Sequence, residues 1–489
     1  MESPGPGEAS RLRAQPAPRL YRTATPQASP EPEGSVATWS ISPGRAYGAV
    51  AVLCYINLLN YMNWFIIAGV LLDIQKHFHI GDAEAGLLQT VFISGLLLAA
   101  PLFGYLGDRY SRKATLSIGI VLWSSGSLSG SFLPGQCSWL FFLSRGVVGV
   151  GVASYSTIAP TIIGDLFVKD QRTWVLSLFY IFIPVGSGLG YVLASAVTTA
   201  TGDWHWAFRI MPCLEAVALV LLILLVPDPP RGAAEEQSET GGPRTSWCED
   251  VRYLGTNWSF VWSTLGVTAM AFVTGALGFW APKFLYHTRV LQGLQSPCHQ
   301  EPCDSPDSLI FGALTVVTGI VGVLIGAEMA RRFKKLTPRA EPLVCAGSML
   351  AAAPCLYLAI VLAQKTIVAF YVFLALGELF LSFNWAIIAD ILLSVVMPSR
   401  RGTAEALQIT VSHILGDAGS PYLTGLVSSA LQEAHVDSSL WLFRSLQYSF
   451  FICIFVNVLG GACFLVTALC MERDLPQAPA TEESWEHRG

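Results

Sequence analysis

Long apolar runs separated by short polar segments dominate this chain. A helix that crosses the hydrocarbon core of a bilayer needs roughly 20 apolar residues, and twelve runs of that kind occur among the 489 residues. They cover approximately residues 46–72, 85–107, 114–134, 139–163, 174–198, 207–226, 258–286, 308–330, 341–362, 366–394, 403–431 and 446–471. Only 13% of the residues are charged, about half the density typical of a soluble domain. The sequence therefore predicts an all-α membrane protein with twelve transmembrane helices.

A polar, Gly- and Pro-rich segment between the sixth and seventh runs divides the chain into two halves of six helices. The segment before the first run is rich in Pro, Ser and Arg and has no apolar core, which predicts a disordered tail and no signal peptide. We expect five regions in order. They are a cytosolic tail (1–45), an N-terminal six-helix bundle (46–226), a cytosolic linker (227–257), a C-terminal six-helix bundle (258–471) and a second cytosolic tail (472–489).

Lysine and arginine are concentrated on one side of the predicted spans. They precede the first span, lie in the linker, and follow the second, fourth, eighth and tenth spans, as in the segment 331–339. If twelve spans alternate in direction, all of these positions fall on the side that holds both termini. Because basic loops remain in the cytosol, we predict a multi-pass protein with both termini cytosolic.

The segment between the second and third runs reads Gly104-Tyr-Leu-Gly-Asp108-Arg109-Tyr-Ser-Arg112-Lys113. It resembles the signature loop of the major facilitator superfamily, with Ser111 in place of the second glycine of that pattern. We expect Gly104 to allow a close approach of helices. The resemblance implies two six-helix bundles related by a pseudo-two-fold axis, which alternate in exposing a central site to the two sides of the membrane.

Charged residues at the ends of the second, fourth and tenth runs predict a cytosolic gate. Arg109 and Arg112 are expected to pair with Asp165, and Asp390 with Arg400 or Arg401. The predicted gate residues are Asp108, Arg109, Arg112, Asp165, Arg172, Asp390 and Arg401. The alternative interpretation is that these basic residues only orient the chain in the membrane.

Arg145 lies within the fourth apolar run, in the pattern Arg145-Gly-Val-Val-Gly149-Val-Gly151. This pattern resembles the fourth-helix motif of the same superfamily. An arginine that faces lipid without a partner is costly, so we expect Arg145 to line a transport cavity and to pair with an anionic group such as a phosphate. Snorkelling of its side chain to the membrane surface is the alternative.

Longer strings narrow the resemblance to the Spinster family. Asn57-Leu-Leu-Asn-Tyr-Met62, Ala153-Ser-Tyr-Ser-Thr-Ile-Ala-Pro-Thr161, Ile183-Pro-Val-Gly-Ser-Gly-Leu-Gly-Tyr191 and the segment GDWHWAFR at 202–209 look like strings of that family. Spinster proteins carry lysophospholipids and sphingolipids such as sphingosine-1-phosphate. The resemblance therefore implies a lipid transporter of the plasma membrane or the endolysosomal membrane.

Two departures from the Spinster pattern affect how transport would be driven. Asn63 and Trp64 stand where the family usually has Asp-Arg, and Val152 stands where it usually has Glu. Both changes remove a carboxylate able to carry protons, so we expect facilitated diffusion of the lipid. Glu378 and His413 are the remaining intramembrane candidates for proton coupling.

Polar residues within the apolar runs are candidates for contact with the substrate. Glu378 is suited to an ammonium group, on which Trp385 could stack, and Ser156 shares a helical face with Arg145. The candidates are Asn57, Arg145, Ser156, Tyr191, Thr274, Thr315, Glu378, Trp385 and His413. For Asn57, Tyr191, Thr274 and Thr315, hydrogen bonding between helices is an equally good interpretation.

The function predicted from the sequence is transport of sphingolipids or lysophospholipids by alternating access. Export of a small organic anion, and a receptor or scaffold that binds lipid without transport, are the alternatives. The chain has no phosphate-binding loop and no hydrolase or zinc-protease motif, so we expect no enzyme activity, cofactor, metal or nucleic acid, and a monomer in the bilayer. The spacing of Cys298 and Cys303 in a polar loop is compatible with a disulfide or with two free thiols.

Overall fold

The computed structural model describes residues 42–167, 169–229, 247–299, 302–303, 306–397, 400–435 and 438–474. The predicted tails, apart from their innermost residues, and most of the predicted linker lie outside these residues. The side chains of Asp108 and Arg172, two of the predicted gate residues, also lie outside the described part of the chain.

The described residues form a bundle of α-helices. The helices are α1 (Pro43–Gly69), α2 (Leu71–Phe78), α3 (Asp82–Arg109), α4 (Arg112–Gly130), α5 (Ser138–Leu166), α6 (Lys169–Thr201), α7 (His205–Leu225), α8 (Trp247–Thr256), α9 (Trp258–Leu291), α10 (Pro306–Lys334), α11 (Ala340–Leu362), α12 (Ile367–Ser382), α13 (Asn384–Val395), α14 (Arg401–Ser412), α15 (Gly419–Glu433) and α16 (Ser439–Asp474). We call α1–α7 the N-terminal half and α9–α16 the C-terminal half.

All twelve predicted spans are helical, but two of them are less apolar than the rest. Ten spans in the described residues are long and apolar enough to cross a membrane, with α12 and α13 together forming one of them. The other two are α4, which carries five serines, and the eleventh span, whose first part contains Arg401, Glu405 and Gln408.

Regular α-helical hydrogen bonding is interrupted near the middle of the tenth and eleventh spans. Phe383, whose backbone keeps helical dihedral angles, separates α12 from α13. The eleventh span, predicted as one helix, instead contains a π-helical turn from His413 to Asp417, in which the amide of Ala418 donates to the carbonyl of His413 at 3.0 Å. Such wider turns occur often at functional sites.

Glycines allow the predicted fourth-helix motif to pack closely. A Cβ atom at Gly149 would collide with the carbonyl of Phe92 on α3, and one at Gly151 would lie 2.6 Å from the amide nitrogen of Trp123 on α4. These two positions therefore require glycine. Gly104 has open space around it, so our expectation of a close helix approach there is wrong, whereas a Cβ at Gly107 would lie 3.0 Å from Ile158.

Successive spans run in opposite directions, so the bundle has two faces. We call the face where α1 begins and α16 ends the terminal face, and the opposite face the distal face. The ion pair between Arg112 and Asp165 lies on the terminal face, and the pair between Asp82 and Lys283 lies on the distal face. The predicted cytosolic side corresponds to the terminal face.

Candidate functional site

A cavity of about 360 Å³ lies between the two halves of the bundle. Helices α1, α3 and α6 contribute from the N-terminal half, and α9, α10, the tenth span and the eleventh span from the C-terminal half. Its aromatic lining residues are Tyr61, Trp64, Phe65, Tyr191, Phe279, Phe311 and Trp385. Trp385 on α13 and Ile409 on α14 remain 43% and 46% exposed. These helices are the parts of the tenth and eleventh spans nearest the terminal face. The cavity is therefore open towards the terminal face.

Glu378 places a carboxylate in the cavity wall. The hydroxyl of Thr318 donates to Oε2 of Glu378 at 3.1 Å, and that of Thr315 donates to Oε1 at 3.4 Å. Among the described residues, no lysine or arginine forms an ion pair with this carboxylate. The two hydroxyls orient the carboxylate without neutralising it, which leaves it available to a cationic group of a ligand.

A second polar group in the cavity comes from the π-helical turn. Nδ1 of His413 lies 2.9 Å from both carboxylate oxygens of Asp417, and the ring of His413 lies 5.8 Å from that of Trp64 across the interface between the halves. The π turn brings the first and last of its five residues together inside the cavity. It thereby sets an imidazole–carboxylate pair opposite the N-terminal half.

The ionisable lining of the cavity is acidic. Glu378 and Asp417 are carboxylates and His413 is an imidazole, while the described lining contains no lysine or arginine. Most of the remaining wall is aliphatic or aromatic. Such a surface is suited to a ligand with an apolar body and a cationic group.

Six of the nine predicted substrate residues line this cavity, namely Tyr191, Thr274, Thr315, Glu378, Trp385 and His413. The hydroxyl of Tyr191 donates to the carbonyl of Gly278 and so connects the two halves. The hydroxyl of Thr274 donates to the carbonyl of Met270 at 3.0 Å within its own helix.

The other three predicted substrate residues lie outside the cavity lining. Nδ2 of Asn57 donates to the carbonyl of Phe179 at 2.9 Å and joins α1 to α6. Ser156 is exposed and donates to the carbonyl of Val152 at 3.2 Å. Arg145 is completely buried in the N-terminal half. In this conformation none of the three reaches the cavity.

Arg145 lies behind the aromatic wall of the cavity. Its guanidinium is 4.8 Å from the ring centre of Phe92, which packs edge-on against Trp64 at 4.9 Å. Nη2 donates to the carbonyl of Asn63 at 3.4 Å, whereas Nε and Nη1 have no hydrogen-bond partner among the described residues. Two aromatic rings thus separate a buried cation from the cavity.

Glu215 lies in a polar cluster of the N-terminal half. Nδ2 of Asn63 donates to Oε1 of Glu215, and the hydroxyl of Ser124 donates to Oε2 at 2.5 Å. The hydroxyl of Ser127 also donates to Oδ1 of Asn63, at 3.3 Å. This cluster joins α1, α4 and α7 beside Arg145.

Sequence reasoning also missed the contacts that close the distal face. Nζ of Lys283 on α9 is paired with Asp82 on α3 and donates to Oε1 of Gln75 at 2.6 Å. Ser428 and Gln432 on α15 donate to the other carboxylate oxygen of Asp82, at 2.6 and 2.9 Å. We call these five residues the distal latch. It holds the two halves together on the side away from the cavity opening.

Cys298 and Cys303 form a disulfide with Cα atoms 5.6 Å apart, within the usual range. Nζ of Lys76 on α2 donates to the carbonyl of Cys298, and the amide of Cys303 donates to Asp73, also on α2, at 2.7 Å. The disulfide-closed segment of the C-terminal half is therefore fastened to the N-terminal half beside the distal latch.

On the terminal face the charge pairs only partly match those predicted. Arg112 pairs with Asp165 as expected, whereas the guanidinium of Arg109 is exposed and lies 4.9 Å from the ring centre of Tyr105. In this conformation, which is open at the terminal face, neither predicted partner pairs with Asp390. Arg400 pairs with Asp250 at 3.0 Å, and Arg401 donates to the carbonyls of Leu393 and Val396. The physical reason is that α8, within the predicted linker, brings Asp250 to the start of α14.

Several cavity residues on the N-terminal half were not predicted as site residues. They are Tyr61, Trp64, Phe65, Gln89 and Ser187. Tyr61 lies within the Asn57–Met62 string and Trp64 lies two residues after it. That string was the only feature of the sequence that could have indicated these two residues. Aromatic residues in an apolar run do not by themselves distinguish a cavity from a helix interface or lipid.

The family model described as Major Facilitator Superfamily matches residues 53–421. The chain therefore belongs to the major facilitator superfamily of membrane transporters, and its twelve-helix fold is that of the superfamily. Within it, the chain belongs to the Spinster family. It is 74% identical to "Protein spinster homolog 3" of Homo sapiens, over 90% of this chain and 86% of the relative. It is 55% identical to "Protein spinster homolog 1" of Homo sapiens, over 92% and 85%.

A solved structure shares the fold. It is the crystal structure of a bacterial homologue of the human lysosomal transporter Spinster, in an inward-facing and unoccupied conformation. The TM-score is 0.75 with 19% sequence identity, and the match covers 90% of this chain and all of that one.

Proposed function

We propose that this membrane transporter carries sphingolipids or lysophospholipids by alternating access, and that it recognises an ammonium group on the lipid. The observation that carries the proposal is the carboxylate of Glu378, held by two threonine hydroxyls in a wall that is otherwise mainly apolar. A single-chain lipid has both parts that such a cavity accommodates, a cationic headgroup and a hydrocarbon tail.

The charge of the lining favours this substrate class over a small organic anion. An anion would approach Glu378 and Asp417, and the described lining offers it no lysine or arginine. Arg145 is the nearest candidate, but Phe92 and Trp64 stand between it and the cavity. Sphingosine-1-phosphate and lysophosphatidylcholine each carry an amine or ammonium group and a phosphate, so movement of these rings would let Arg145 pair with the phosphate.

The direction of opening supports a transport cycle and not static binding. The distal latch closes one face, and exposed Trp385 and Ile409 mark the opening at the other. With the terminal face placed in the cytosol, as the basic loops predict, this conformation would admit a lipid from the cytosol or the cytosolic leaflet. Release would then require the latch to open.

Asn63 and Val152 favour facilitated diffusion over proton exchange. Neither residue can carry a proton at the positions where the Spinster pattern has carboxylates. Glu378, His413 and Asp417 line the cavity, and Glu215 contacts Asn63, so these are the groups through which protons could still be coupled.

Purified protein in liposomes would test the proposal. Labelled lysophosphatidylcholine, sphingosine-1-phosphate and lysophosphatidic acid, which lacks the ammonium, should be offered with and without a pH gradient. We expect transport of the two ammonium-bearing lipids, indifferent to the gradient and reduced at least tenfold in Glu378→Gln. Glu433→Gln, an exposed acid on α15, is the matched control.

Other outcomes would decide between the alternatives. Transport driven by the pH gradient would replace facilitated diffusion by proton coupling. Binding of lipid without movement would favour a receptor. Equal transport of lysophosphatidic acid, unaffected by Glu378→Gln, would contradict ammonium recognition.

A further inference from the structure

A second cavity, also of about 360 Å³, lies on the C-terminal half near the terminal face. The end of α10, the start of α11 and the junction of α12 and α13 form its walls. Its lining residues are Met329, Phe333, Thr337, Ala340, Leu343, Val344, Gly347, Ser348, Phe380 and Phe383. We call it the α10–α11 groove. It shares no described lining residue with the central cavity, and its surface is almost entirely apolar.

The rim of the α10–α11 groove is basic. The cations are Arg331, Arg332, Lys334, Lys335 and Arg339, and the segment 328–341 holds three more basic than acidic residues. Glu328 pairs with Arg331 and with Arg332, but the side chains of these arginines remain 75% and 77% exposed. Lys335 is also exposed. Lys334 pairs with Glu341, and Asp390 lies close to both of them. Arg331, Arg332 and Lys335 therefore carry the exposed positive charge that borders the apolar groove.

Two of the rim cations lie close to lining residues of the groove. Arg332 lies three residues after Met329, so these two side chains are neighbours on the surface of α10. Lys335 directly follows the end of α10 and lies two residues before Thr337, another lining residue. An acyl chain in the groove would therefore place its headgroup at these cations.

We propose that the α10–α11 groove binds one membrane phospholipid with a multiply charged anionic headgroup. The acyl chain occupies the groove, and the headgroup phosphates pair with Arg332 and Lys335. Charge complementarity selects this occupant, because basic pockets between transmembrane helices attract anionic headgroups. A neutral lipid would fill the groove without using the rim.

The bound lipid would support the wall of the central cavity from behind. Phe383 lines the groove, whereas the neighbouring Ser382 and Trp385 line the central cavity. The hydroxyl of Ser348, in the groove, also donates to Oδ1 of Asn384 at 3.1 Å, at the start of α13. The lipid in the groove and the substrate in the central cavity would thus contact opposite sides of the junction between α12 and α13.

The full-length protein, purified in detergent, should be exposed to equal concentrations of phosphatidylinositol bisphosphate and phosphatidylcholine, and lipid adducts counted by native mass spectrometry. We expect at least fivefold preference for the anionic lipid. Gly347→Leu should abolish this preference, because a Cβ at Gly347 meets no atom within 4 Å and the side chain can enter the groove. Gly48→Leu, at an equally open glycine of α1, is the matched control.

A second pair of variants distinguishes binding of the acyl chain in the groove from attraction of the headgroup to the rim charges. Arg332→Gln with Lys335→Gln should lower retention of the anionic lipid at least fivefold, and Leu343→Trp should do the same by filling the groove one helical turn before Gly347 on α11. Equal retention of the two lipids by the unmodified protein would overturn the proposal. So would retention by Gly347→Leu and Leu343→Trp with loss only in the charge variant, since this would indicate surface attraction alone.

Discussion

Asn63 donates a hydrogen bond to the carboxylate of Glu215, and this contact joins the first and sixth spans inside the N-terminal half. The carbonyl of the same asparagine accepts from Arg145. One residue therefore contacts both a buried acid and a buried base. Where the Spinster pattern has a carboxylate at position 63, this chain has an amide there and a carboxylate on α7.

Glu215 should stabilise the protein through hydrogen bonding and not through its charge. Glu215→Leu leaves the amide of Asn63 and the hydroxyl of Ser124 without their acceptor. We expect a loss of roughly 2 to 4 kcal/mol, since an unsatisfied buried polar group costs about 1–3 kcal/mol. Glu215→Gln, which can accept from Asn63 and donate to Ser124, should unfold near the temperature of the unmodified protein. Thermal unfolding of both variants in detergent is the measurement, and equal losses would contradict this role.

Arg145 should be needed for transport but not for stability. Its guanidinium is buried with two nitrogens unpartnered among the described residues, and burying an unpaired charge is costly. Arg145→Met should therefore leave the unfolding temperature unchanged or raise it, while lipid transport in liposomes falls at least tenfold. A large drop in unfolding temperature would show that Arg145 is structural instead.

The distal latch should control access from the distal face. Lys283→Met leaves the carboxylate of Asp82 buried without its cation, which disfavours the closed arrangement. With Cys137, Cys213 and Cys248 replaced by serine, the thiol of Phe279→Cys should react at least fivefold faster in the Lys283→Met background with an impermeant thiol reagent applied from that face. Lys365→Met, which removes an exposed distal lysine, is the control. Equal rates in the two variants would exclude Lys283 from the latch.

Trp385 should discriminate between lipids with and without an ammonium group. Its half-exposed ring lies at the mouth of the cavity, where stacking on an ammonium contributes about 0.5–2 kcal/mol. Trp385→Leu should raise the KM for lysophosphatidylcholine about two- to thirtyfold in the liposome assay. Trp174→Leu, at an exposed tryptophan of α6, should leave it unchanged. A similar rise for lysophosphatidic acid would mean that Trp385 contacts the tail.

The periodic apolar runs predicted the helices because hydropathy and length are local properties of the chain. Glu378 and His413 could be singled out for the same reason, as polar residues within such runs. The pairing of Asp82 with Lys283 could not be predicted, because both residues lie near the ends of spans, where charged residues are expected in any case. Only the packing of α15 against both α3 and α9 brings these ends together.

Arg145 illustrates a different limit of the sequence. Its type and position indicated a buried cation, but whether it faces the cavity depends on the rotamers of Phe92 and Trp64. Likewise, the helix in the linker and its contact between Asp250 and Arg400 depend on tertiary packing. Arg400 was expected to pair with Asp390, which is close to it in sequence, whereas in the structure it pairs with Asp250.

Irregular helical turns in the tenth and eleventh spans lie near Glu378, His413 and Asp417. The corresponding fourth and fifth spans of the N-terminal half, α5 and α6, are continuous α-helices through their proline positions. Bends in long helices commonly arise at π turns. A headgroup bound to the acidic groups of the cavity would therefore contact the tenth and eleventh spans beside the turns where regular α-helical hydrogen bonding is interrupted.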